Sequence, residues 1–428
     1  MNKDFDALVI GGGVAGSTVA ILLAAAGWSV ALVEKRAFPR RKVCGECIAA
    51  PNLALLDALG VGDEFRALAG PPLERVGLYA GDHELHADLP RLRGSAPWGR
   101  ALGRERLDTL LVARAAKLGA TVYQPWSVVD VECGDGAHVC TLATNRAGES
   151  ATIAATVLVD AHGSWEPSPF AGMRARTESV AADLFAFKAN FVRADIEPGL
   201  LPVLAFDGGY GGMALGDGGQ LTIACCVRRD ALRDTRAGAP GDSAGTAVEA
   251  LLRRSCAGVR RTLDGAERVG TWLSVGPIRP GRRALWTERG GFAVGNAAGE
   301  AHPILGEGIS MAMQGAVLLC ARLEEQRDAL LSGERQERTA RLYELDWRRA
   351  FSARIRWAAL FASLAMRPAA RALLPVLKAW PALLTAGAVV GGKVRAPPVP
   401  SLATRAGSSG RLGRGSHAKV ASAPAAQR

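Results

Sequence analysis

The sequence lacks the marks of several classes of protein. Its eight cysteines are scattered along 428 residues, unlike the dense cysteine framework of a small secreted domain. Residues 1–6 contain acids and lead directly into an apolar run, so they do not form a secretory signal. Cys44 and Cys47 are not followed by the second C-x-x-C pair or histidine cluster that a zinc site requires. We therefore expect a cytoplasmic chain without a metal site.

Acidic residues are missing from the C-terminal part of the chain. From Phe351 onward there are twelve lysines and arginines and no aspartate or glutamate. The first 350 residues hold 40 basic and 41 acidic residues, so the net charge of +11 comes from the C-terminal region alone. No basic groove with interleaved aromatic residues is evident, and the sequence does not predict nucleic-acid binding.

The start of the chain, "DALVIGGGVAGSTVAILLAAAGWSVALVEKR", has the pattern of a strand, a glycine turn, a helix and a second strand. Residues 7–10 are continuously apolar, which is typical of a buried parallel strand. Residues 11–16 form the turn, 17–26 are strong helix formers, and 29–33 predict the next strand, which ends at Glu34. This order predicts a dinucleotide-binding unit.

Each glycine in this turn has a physical reason. Gly11 permits the tight turn, and Gly13 lets the backbone approach a pyrophosphate at the positive end of the helix. Gly16 lets the helix lie close to the strand. Glu34 is placed to accept hydrogen bonds from a ribose diol, which favours FAD or NAD over NADP. A generic strand-helix turn would not need this acid, but the motif alone does not separate FAD from NAD.

Three later segments favour FAD. They are residues 38–60 (FPRRKVCGECIAAPNLALLDALG), residues 103–123 (GRERLDTLLVARAAKLGATVY), and a short strand at 290–294 followed by "GNAAGEAHPILGEGIS" at 295–310. In this order the segments resemble the FAD-dependent oxidoreductases of the geranylgeranyl reductase type. That type belongs to the larger flavin monooxygenase group, which also contains aromatic hydroxylases and halogenases, and the resemblance covers residues 5–350.

The resemblance implies an α/β fold in which a Rossmann-like FAD-binding domain is interleaved with an antiparallel β-sheet substrate domain, followed by C-terminal helices. The length and the 49% of hydrophobic residues allow a sizeable core for such an arrangement. We expect a discontinuous FAD-binding domain at 1–80, 100–170 and 285–350, a substrate domain at 81–99 and 171–284, a helical region at 351–400, and a disordered basic tail at 401–428.

The resemblance also implies which residues contact the cofactor. The pyrophosphate would lie against Gly11, Gly13, Ala15 and Gly16. Glu34 would bind the adenosine ribose, Arg104 the phosphate and ribityl region, and Val129 would lie near the adenine. Gly295 and Asn296 stand where the family has Gly-Asp, so an amide replaces the usual carboxylate at a ribityl hydroxyl. Backbone N–H groups of Gly308 and Ile309 would lie at the pyrimidine edge of the flavin.

Physical chemistry supports a flavin at the second glycine cluster. A reduced flavin carries negative charge at N1 and the C2 carbonyl, and a helix beginning near Ile309 would stabilise that charge. Glycine lets the backbone lie against a flat ring. A glycine loop that only caps a core helix is the alternative.

Cys44 and His302 are the candidate catalytic residues. The resemblance places Cys44 beside the flavin, while a redox dithiol with Cys47 or a buried structural thiol are the alternatives. Glu46 could act as an acid if desolvated, or be an ordinary solvated carboxylate. His302 could donate a proton to the substrate or flavin, or be a packed turn residue.

The middle of the chain alternates like an antiparallel sheet, and residues 207–220 indicate a hairpin similar to a family segment that lines the substrate cavity. The sequence contains no second dinucleotide fingerprint. NAD(P)H would therefore bind only transiently as a reductant, or electrons would come from a separate protein.

Residues 354–390 are apolar and cationic, and Pro368, Pro375 and Pro381 interrupt them too often for a membrane-spanning helix. Two short amphipathic helices could lie on an anionic membrane or cover the substrate opening. Ordinary packing on the FAD-binding domain is the alternative.

These observations predict an FAD-dependent oxidoreductase that acts on an apolar or aromatic small metabolite. Monooxygenation or oxidation and reduction of a C=C bond are its two versions. Halogenation is less favoured, because no W-x-W-x-I-P segment is present and residues 271–280 are only a distant approximation. A membrane-recruited flavoprotein without catalysis and an NAD-linked dehydrogenase without flavin are also compatible with the sequence.

Overall fold

A computed structural model describes most of the chain. The described residues are 4–94, 96–134, 136–144, 148–164, 180–238, 241–287, 289–332 and 336–395. The tail at 401–428, for which the sequence predicts disorder, lies outside them.

The elements follow one another in chain order. The strands are β1 (Phe5–Ile10), β2 (Val30–Val33), β3 (Cys47–Ile48), β4 (Arg75–Ala80), β5 (His83–Asp88), β6 (Arg100–Ala101), β7 (Thr121–Tyr123), β8 (Ser127–Gly134), β9 (Ala137–Ala143), β10 (Ser150–Asp160), β11 (Leu184–Val192), β12 (Leu200–Phe206), β13 (Gly209–Leu215), β14 (Leu221–Arg228), β15 (Glu267–Ile278), β16 (Gly281–Arg282), β17 (Gly291–Ala293) and β18 (Gly299–Glu300). The helices are α1 (Val14–Ala25), α2 (Pro51–Ala58), α3 (Gly62–Leu68), α4 (Arg104–Lys117), α5 (Arg229–Ala237), α6 (Ala244–Ser255), α7 (Ala257–Thr262), α8 (Gly308–Glu325), α9 (Arg327–Leu331), α10 (Glu337–Ala365), α11 (Leu374–Ala379) and α12 (Ala382–Gly391).

The first sheet has the strand order β7-β2-β1-β10-β9-β8, and β17 also pairs with β10. β1 is central and runs parallel to β2 and β10, and β17 runs parallel to β10. β1 and β2 are apolar runs with all or most side chains buried, as expected for strands covered on both faces. The predicted Rossmann-like core is confirmed, and α1 begins at Val14, three residues before the predicted start.

The second sheet has the strand order β15-β11-β14-β13-β12-β4-β5. Its neighbours are antiparallel except for β12 and β4, which are parallel. Side chains such as Tyr79, Val248 and Val259 form a buried cluster between this sheet and the helices α6 and α7. The predicted second, largely antiparallel domain is therefore present. Its strand β4 lies within residues 1–80, which the sequence analysis assigns to the FAD-binding domain. The expected boundary between residues 80 and 81 therefore falls inside this sheet, between β4 and β5.

The two glycine segments meet although about 280 residues separate them in the chain. β17 joins the first sheet beside β10, which places the turn after it next to the turn after β1. Gly295 has a φ of +60°, and an ideal Cβ built on it would lie 2.8 Å from the Ala15 Cβ. Only glycine allows this approach, so the second cluster lies directly against the first.

The C-terminal helices cross from the first sheet to the second. α10 starts beside α8, where Trp347 is buried against Gly299 and Gly315. α12 is tied to the edge of the second sheet by a hydrogen bond from the Thr385 hydroxyl to the Asp88 carbonyl (2.7 Å). Within the described residues, every helix is too short or too polar to cross a membrane.

Candidate functional site

The glycines of the first turn have different structural roles. Gly11 has a φ of +106°, and an ideal Cβ on it would lie 2.4 Å from the Ala161 carbonyl oxygen. A Cβ on Gly16 would lie 1.9 Å from the Gly11 carbonyl oxygen. Both glycines are thus required by the fold itself. Gly13 caps α1 and has no protein atom closer than 3.7 Å to its ideal Cβ, so it faces the space where a ligand would lie.

Two cations, the buried Arg104 and the partly buried Lys42, lie beside this turn. An ideal Cβ on Gly13 would be 3.7 Å from Arg104 Nη2 and 3.8 Å from Lys42 Nζ. Arg104 is held by a bidentate ion pair with Asp108 (2.8 and 2.7 Å), which its place four residues earlier on α4 allows. Burial, followed by the charge of Arg104, lowers the pKa of Lys42 to about 8. Two cations at the positive end of α1 fit a diphosphate, and sequence reasoning missed Lys42.

Glu34 and Val129 were predicted on the adenosine side. The buried Glu34 carboxylate accepts hydrogen bonds from the N–H groups of Gly12 and Arg36, both at 2.9 Å. It therefore fixes the glycine turn, and its contact with a ribose stays a prediction. The Val129 side chain is 57% exposed on β8, so its contact with an adenine also stays a prediction.

The second glycine cluster lies at the start of α8. Gly308 is the first residue of this helix, and nothing lies within 4 Å of its ideal Cβ. Asn296 donates a hydrogen bond to the Ser164 hydroxyl at 3.4 Å. The predicted helix start near Ile309 is confirmed, and the N-terminus of α8 faces open space, as a bound ring would require.

A single cavity of about 740 Å³ reaches both glycine clusters. It continues between the second sheet and the C-terminal helices, where its wall includes Phe187, Met213 and Leu377. The predicted site residues that line it are Gly13, Ala15, Cys44, Arg104, Gly295, Asn296, Gly308 and Ile309. Those that lie outside its lining are Gly11, Gly16, Glu34, Val129 and His302.

Cys44 lies in the cavity wall between the two clusters. Its sulfur accepts a hydrogen bond from the Glu46 backbone N–H at 3.3 Å. Cys47 is buried and its sulfur lies 3.9 Å from Lys393 Nζ, and both thiols are free. The flavin-proximal role of Cys44 and the redox dithiol with Cys47 both stay predictions. In the described part of the chain, no cluster of His, Cys, Asp or Glu could hold a metal ion.

Glu46 links the start of α4 to the second sheet through its buried carboxylate. One oxygen accepts the Arg104 backbone N–H (2.8 Å) and forms an ion pair with Lys188 on β11. The other accepts the Thr222 hydroxyl on β14 at 2.6 Å. Glu46 also has a φ of +60°, a conformation that a non-glycine residue holds only when its surroundings fix it. It is therefore a buried anchor and not a solvated loop carboxylate.

His302 contacts the cavity wall at Tyr210. The Tyr210 hydroxyl and His302 Nδ1 are 3.2 Å apart, and Tyr210 lies in the cavity wall. Burial lowers the pKa of His302, so its neutral form is favoured near pH 7. The buried carboxyl of Glu300 also lines this wall, 3.5 Å from Arg283, and burial raises its pKa. Sequence reasoning missed Glu300, because nothing in "GEA" distinguishes a buried acid from an exposed one.

This geometry agrees with the comparison with known families. Residues 4–358 match the family described as FAD binding domain, and the chain belongs to that family. FAD is therefore the cofactor of this family, and its contact with the two glycine clusters stays a prediction.

Relatives with assigned activities match shorter stretches. The chain is 33% identical over 157 residues to a tryptophan 2-halogenase of Chondromyces crocatus, which is 36% of this chain and 30% of that protein. It spans 30% to 40% of the length of the first curated relatives that it matches.

Solved structures match over the greater part of the chain. The p-nitrophenol 4-monooxygenase of Pseudomonas putida superposes with a TM-score of 0.72 and 17% identity, covering 91% of this chain and 97% of that one. A geranylgeranyl bacteriochlorophyll reductase-like protein of Thermoplasma acidophilum has a TM-score of 0.67 and 18% identity, covering 92% and 93%. At these identities the similarity establishes a shared fold.

Proposed function

We propose that the protein is an FAD-dependent oxidoreductase of the geranylgeranyl reductase type that acts on an apolar or aromatic small metabolite. The observation that carries the proposal is the single cavity, which runs from Gly13 past Gly308 to an apolar wall on the second sheet. A cofactor and a substrate held in one cavity are in contact. This arrangement is what electron transfer between them requires.

The chain's own residues would hold FAD at its two ends. Lys42 and Arg104 neutralise the diphosphate at the N-terminus of α1. Gly308 and Ile309 present backbone N–H groups at the N-terminus of α8, where negative charge on the ring is stabilised. When bound, FAD accepts electrons from a donor and passes them to the substrate or to oxygen.

The apolar wall selects the substrate and excludes water from it. Phe187, Val203, Met213 and Leu384 line the part of the cavity beyond the cofactor segments. Glu300, in the second glycine cluster, is a candidate to hold a proton at this cavity, because its carboxyl is buried and burial raises its pKa. Cys44 lies between the two glycine clusters, which supports a role beside the flavin.

Anaerobic reduction of the purified FAD-loaded protein tests this proposal. NADH or NADPH as a transient donor, or a separate electron-donor protein, should bleach the flavin absorption band. Air is then admitted in the presence of apolar aromatic and alkene compounds. Reoxidation with oxygen inserted into a product identifies monooxygenation, and alkene reduction without oxygen use identifies a reductase. A flavin that stays oxidised with every donor would contradict the proposal.

Halogenation is the second candidate, and the match to a tryptophan 2-halogenase favours it. It requires a halide ion, so reoxidation in the presence and absence of bromide separates it from monooxygenation. A product whose mass increases by bromine in place of hydrogen would support halogenation. A product that gains only oxygen would contradict it.

A further inference from the structure

Exposed large apolar side chains are concentrated on the C-terminal helices. On α10 they recur at the spacing of one helix face, as Trp357 (42% exposed), Leu360 (46%) and Leu364 (36%). The short helices after it add Leu373, Val376, Trp380, Leu383, Val389 and Val390, of which Trp380 is 65% exposed. We call these nine side chains the C-terminal apolar face. Such a concentration indicates an interaction surface.

The charged side chains that flank this face on its own helices have one sign, while Asp88 and Asp207 lie on adjoining segments of the second sheet. The described residues from 351 to 395 include no acidic side chain. The exposed cations Arg356, Arg367, Lys378 and Arg395 lie on or beside the same helices. Aromatic and aliphatic side chains together with these cations complement an anionic lipid surface.

The opposite side of these helices forms one wall of the cavity. Leu374 and Leu377 of α11 line it, together with Leu384 and Ala388 of α12. Leu364, Leu373 and Leu383 line the cavity and are also exposed, so they form the rim of an opening. The opening therefore lies within the C-terminal apolar face.

We propose that the C-terminal apolar face docks on an anionic lipid bilayer, so that the cavity opens toward the membrane between Leu364, Leu373 and Leu383. A bilayer supplies both the negative charge and the apolar layer that this face complements. A second copy of the chain would instead bring two cationic surfaces together. Substrate passage through this opening rests on the proposed function: an apolar metabolite dissolved in the bilayer would reach the flavin without crossing water.

Vesicle sedimentation of the FAD-loaded protein tests the docking. We expect binding to vesicles of phosphatidylglycerol and phosphatidylcholine in equal amounts, and little binding to phosphatidylcholine alone. Trp380→Glu combined with Val389→Glu should weaken binding to the anionic vesicles by about tenfold or more, because two charges then enter the apolar layer. Leu345→Glu is the matched control, since Leu345 is 50% exposed on α10 outside this face. Equal melting temperatures of the three proteins would verify that folding is intact.

Brominated lipids locate the contact independently of activity. Quenching of tryptophan emission by these lipids should fall in Trp380→Phe, while the variant still sediments with the vesicles. No binding of the wild type to anionic vesicles, or equal binding of the Glu variant, would overturn the proposal. So would a dimer in light scattering that the Glu substitutions dissociate. Vesicle binding is read without a donor or substrate, so it can succeed where the flavin reduction test fails, and the reverse.

Discussion

Lys42 lies beside the first glycine turn with a shifted pKa. Burial, followed by the charge of Arg104, lowers its pKa from the ordinary 10.5 to about 8. Arg104 is paired with Asp108, and a diphosphate bound at the N-terminus of α1 would add further negative charge beside both cations.

Lys42 predicts how FAD binding depends on pH. The pKa of Lys42 in the folded chain, about 8, lies below the ordinary 10.5, so the folded protein without FAD gains stability as pH rises between these values. FAD favours the charged lysine, so its affinity should fall by up to about tenfold as pH rises from 7 to 9. Titration of the cofactor-free protein with FAD, followed by flavin fluorescence, measures this.

Two substitutions serve as controls for that titration. Lys42→Arg keeps its charge across the range and should bind FAD with little change between pH 7 and 9. Lys42→Met should bind weakly at both values. Equal pH dependence in the wild type and in Lys42→Met would show that another group titrates.

Glu46 and Lys188 predict a stability effect where the segment between β2 and β3 meets the second sheet. Glu46→Gln leaves the fully buried Lys188 without its carboxylate and should lower the free energy of unfolding by about 3–5 kcal/mol. Adding Lys188→Met to Glu46→Gln removes the unpaired charge and should restore most of that loss. Chemical denaturation of the FAD-loaded proteins gives both values. If the single and double variants are equally unstable, the ion pair does not act as described.

Single residues were predictable where the backbone dictates them. The roles of Gly11 and Gly16 follow from steric crowding, which a sequence motif carries directly. Lys42, Glu46 and Glu300 could not be assigned, because their roles arise from burial and partners on distant strands. The sequence position of a charged residue does not indicate which charged side chain it will contact in the fold.

At the scale of elements, the start of α8 depends on the C-terminal region. Glu307 precedes the helix with its carboxylate fully buried. Lys393, just after α12, lies 2.9 Å from one of its oxygens, and Arg354 of α10 lies 3.8 Å from the other. These two cations balance a buried acid at the start of the helix that we propose to seat the flavin. The C-terminal helices are thereby tied to the cofactor segment.

Glu307→Gln should loosen this connection. Lys393 and Arg354 would become buried cations without a carboxylate, and local opening near α12 would become easier. We expect trypsin to cleave after Lys393 at least about tenfold faster, as measured by mass spectrometry of timed digests. Glu344→Gln is the control, because Glu344 pairs with Arg348 at the exposed surface of α10. An unchanged cleavage rate in Glu307→Gln would contradict the connection.

Elements with a strong local pattern were predicted well. The first strand, helix and second strand appear as expected, since continuous apolar runs and glycine stops mark them. The membership of β4 in the second sheet was not predictable, because its parallel pairing with β12 joins residues more than a hundred positions apart. The sequence also did not predict the three helices α5, α6 and α7, which lie between strands of the second sheet.

At the scale of the molecule, the interleaving of two sheets creates the site. The chain leaves the first sheet after β2, contributes β4 and β5 to the second, and returns for β7 to β10 before leaving again. The loops that follow β2, β10 and β17 of the first sheet all line the same cavity. The resemblance of three segments to a known family predicted this interleaving, whereas the side chains of the substrate wall were not predictable, because alternation does not tell which face of a sheet turns inward.

FAD content of Gly13→Glu and Gly308→Glu tests the central claim most directly. Both ideal Cβ positions lack close protein neighbours and face the shared cavity, so each substitution acts on a ligand there more than on the fold. The account predicts that each variant alone retains its melting temperature without cofactor and loses most of its bound FAD in an absorption spectrum of the purified protein. Full FAD content in either variant would contradict the claim that both glycine clusters hold one cofactor.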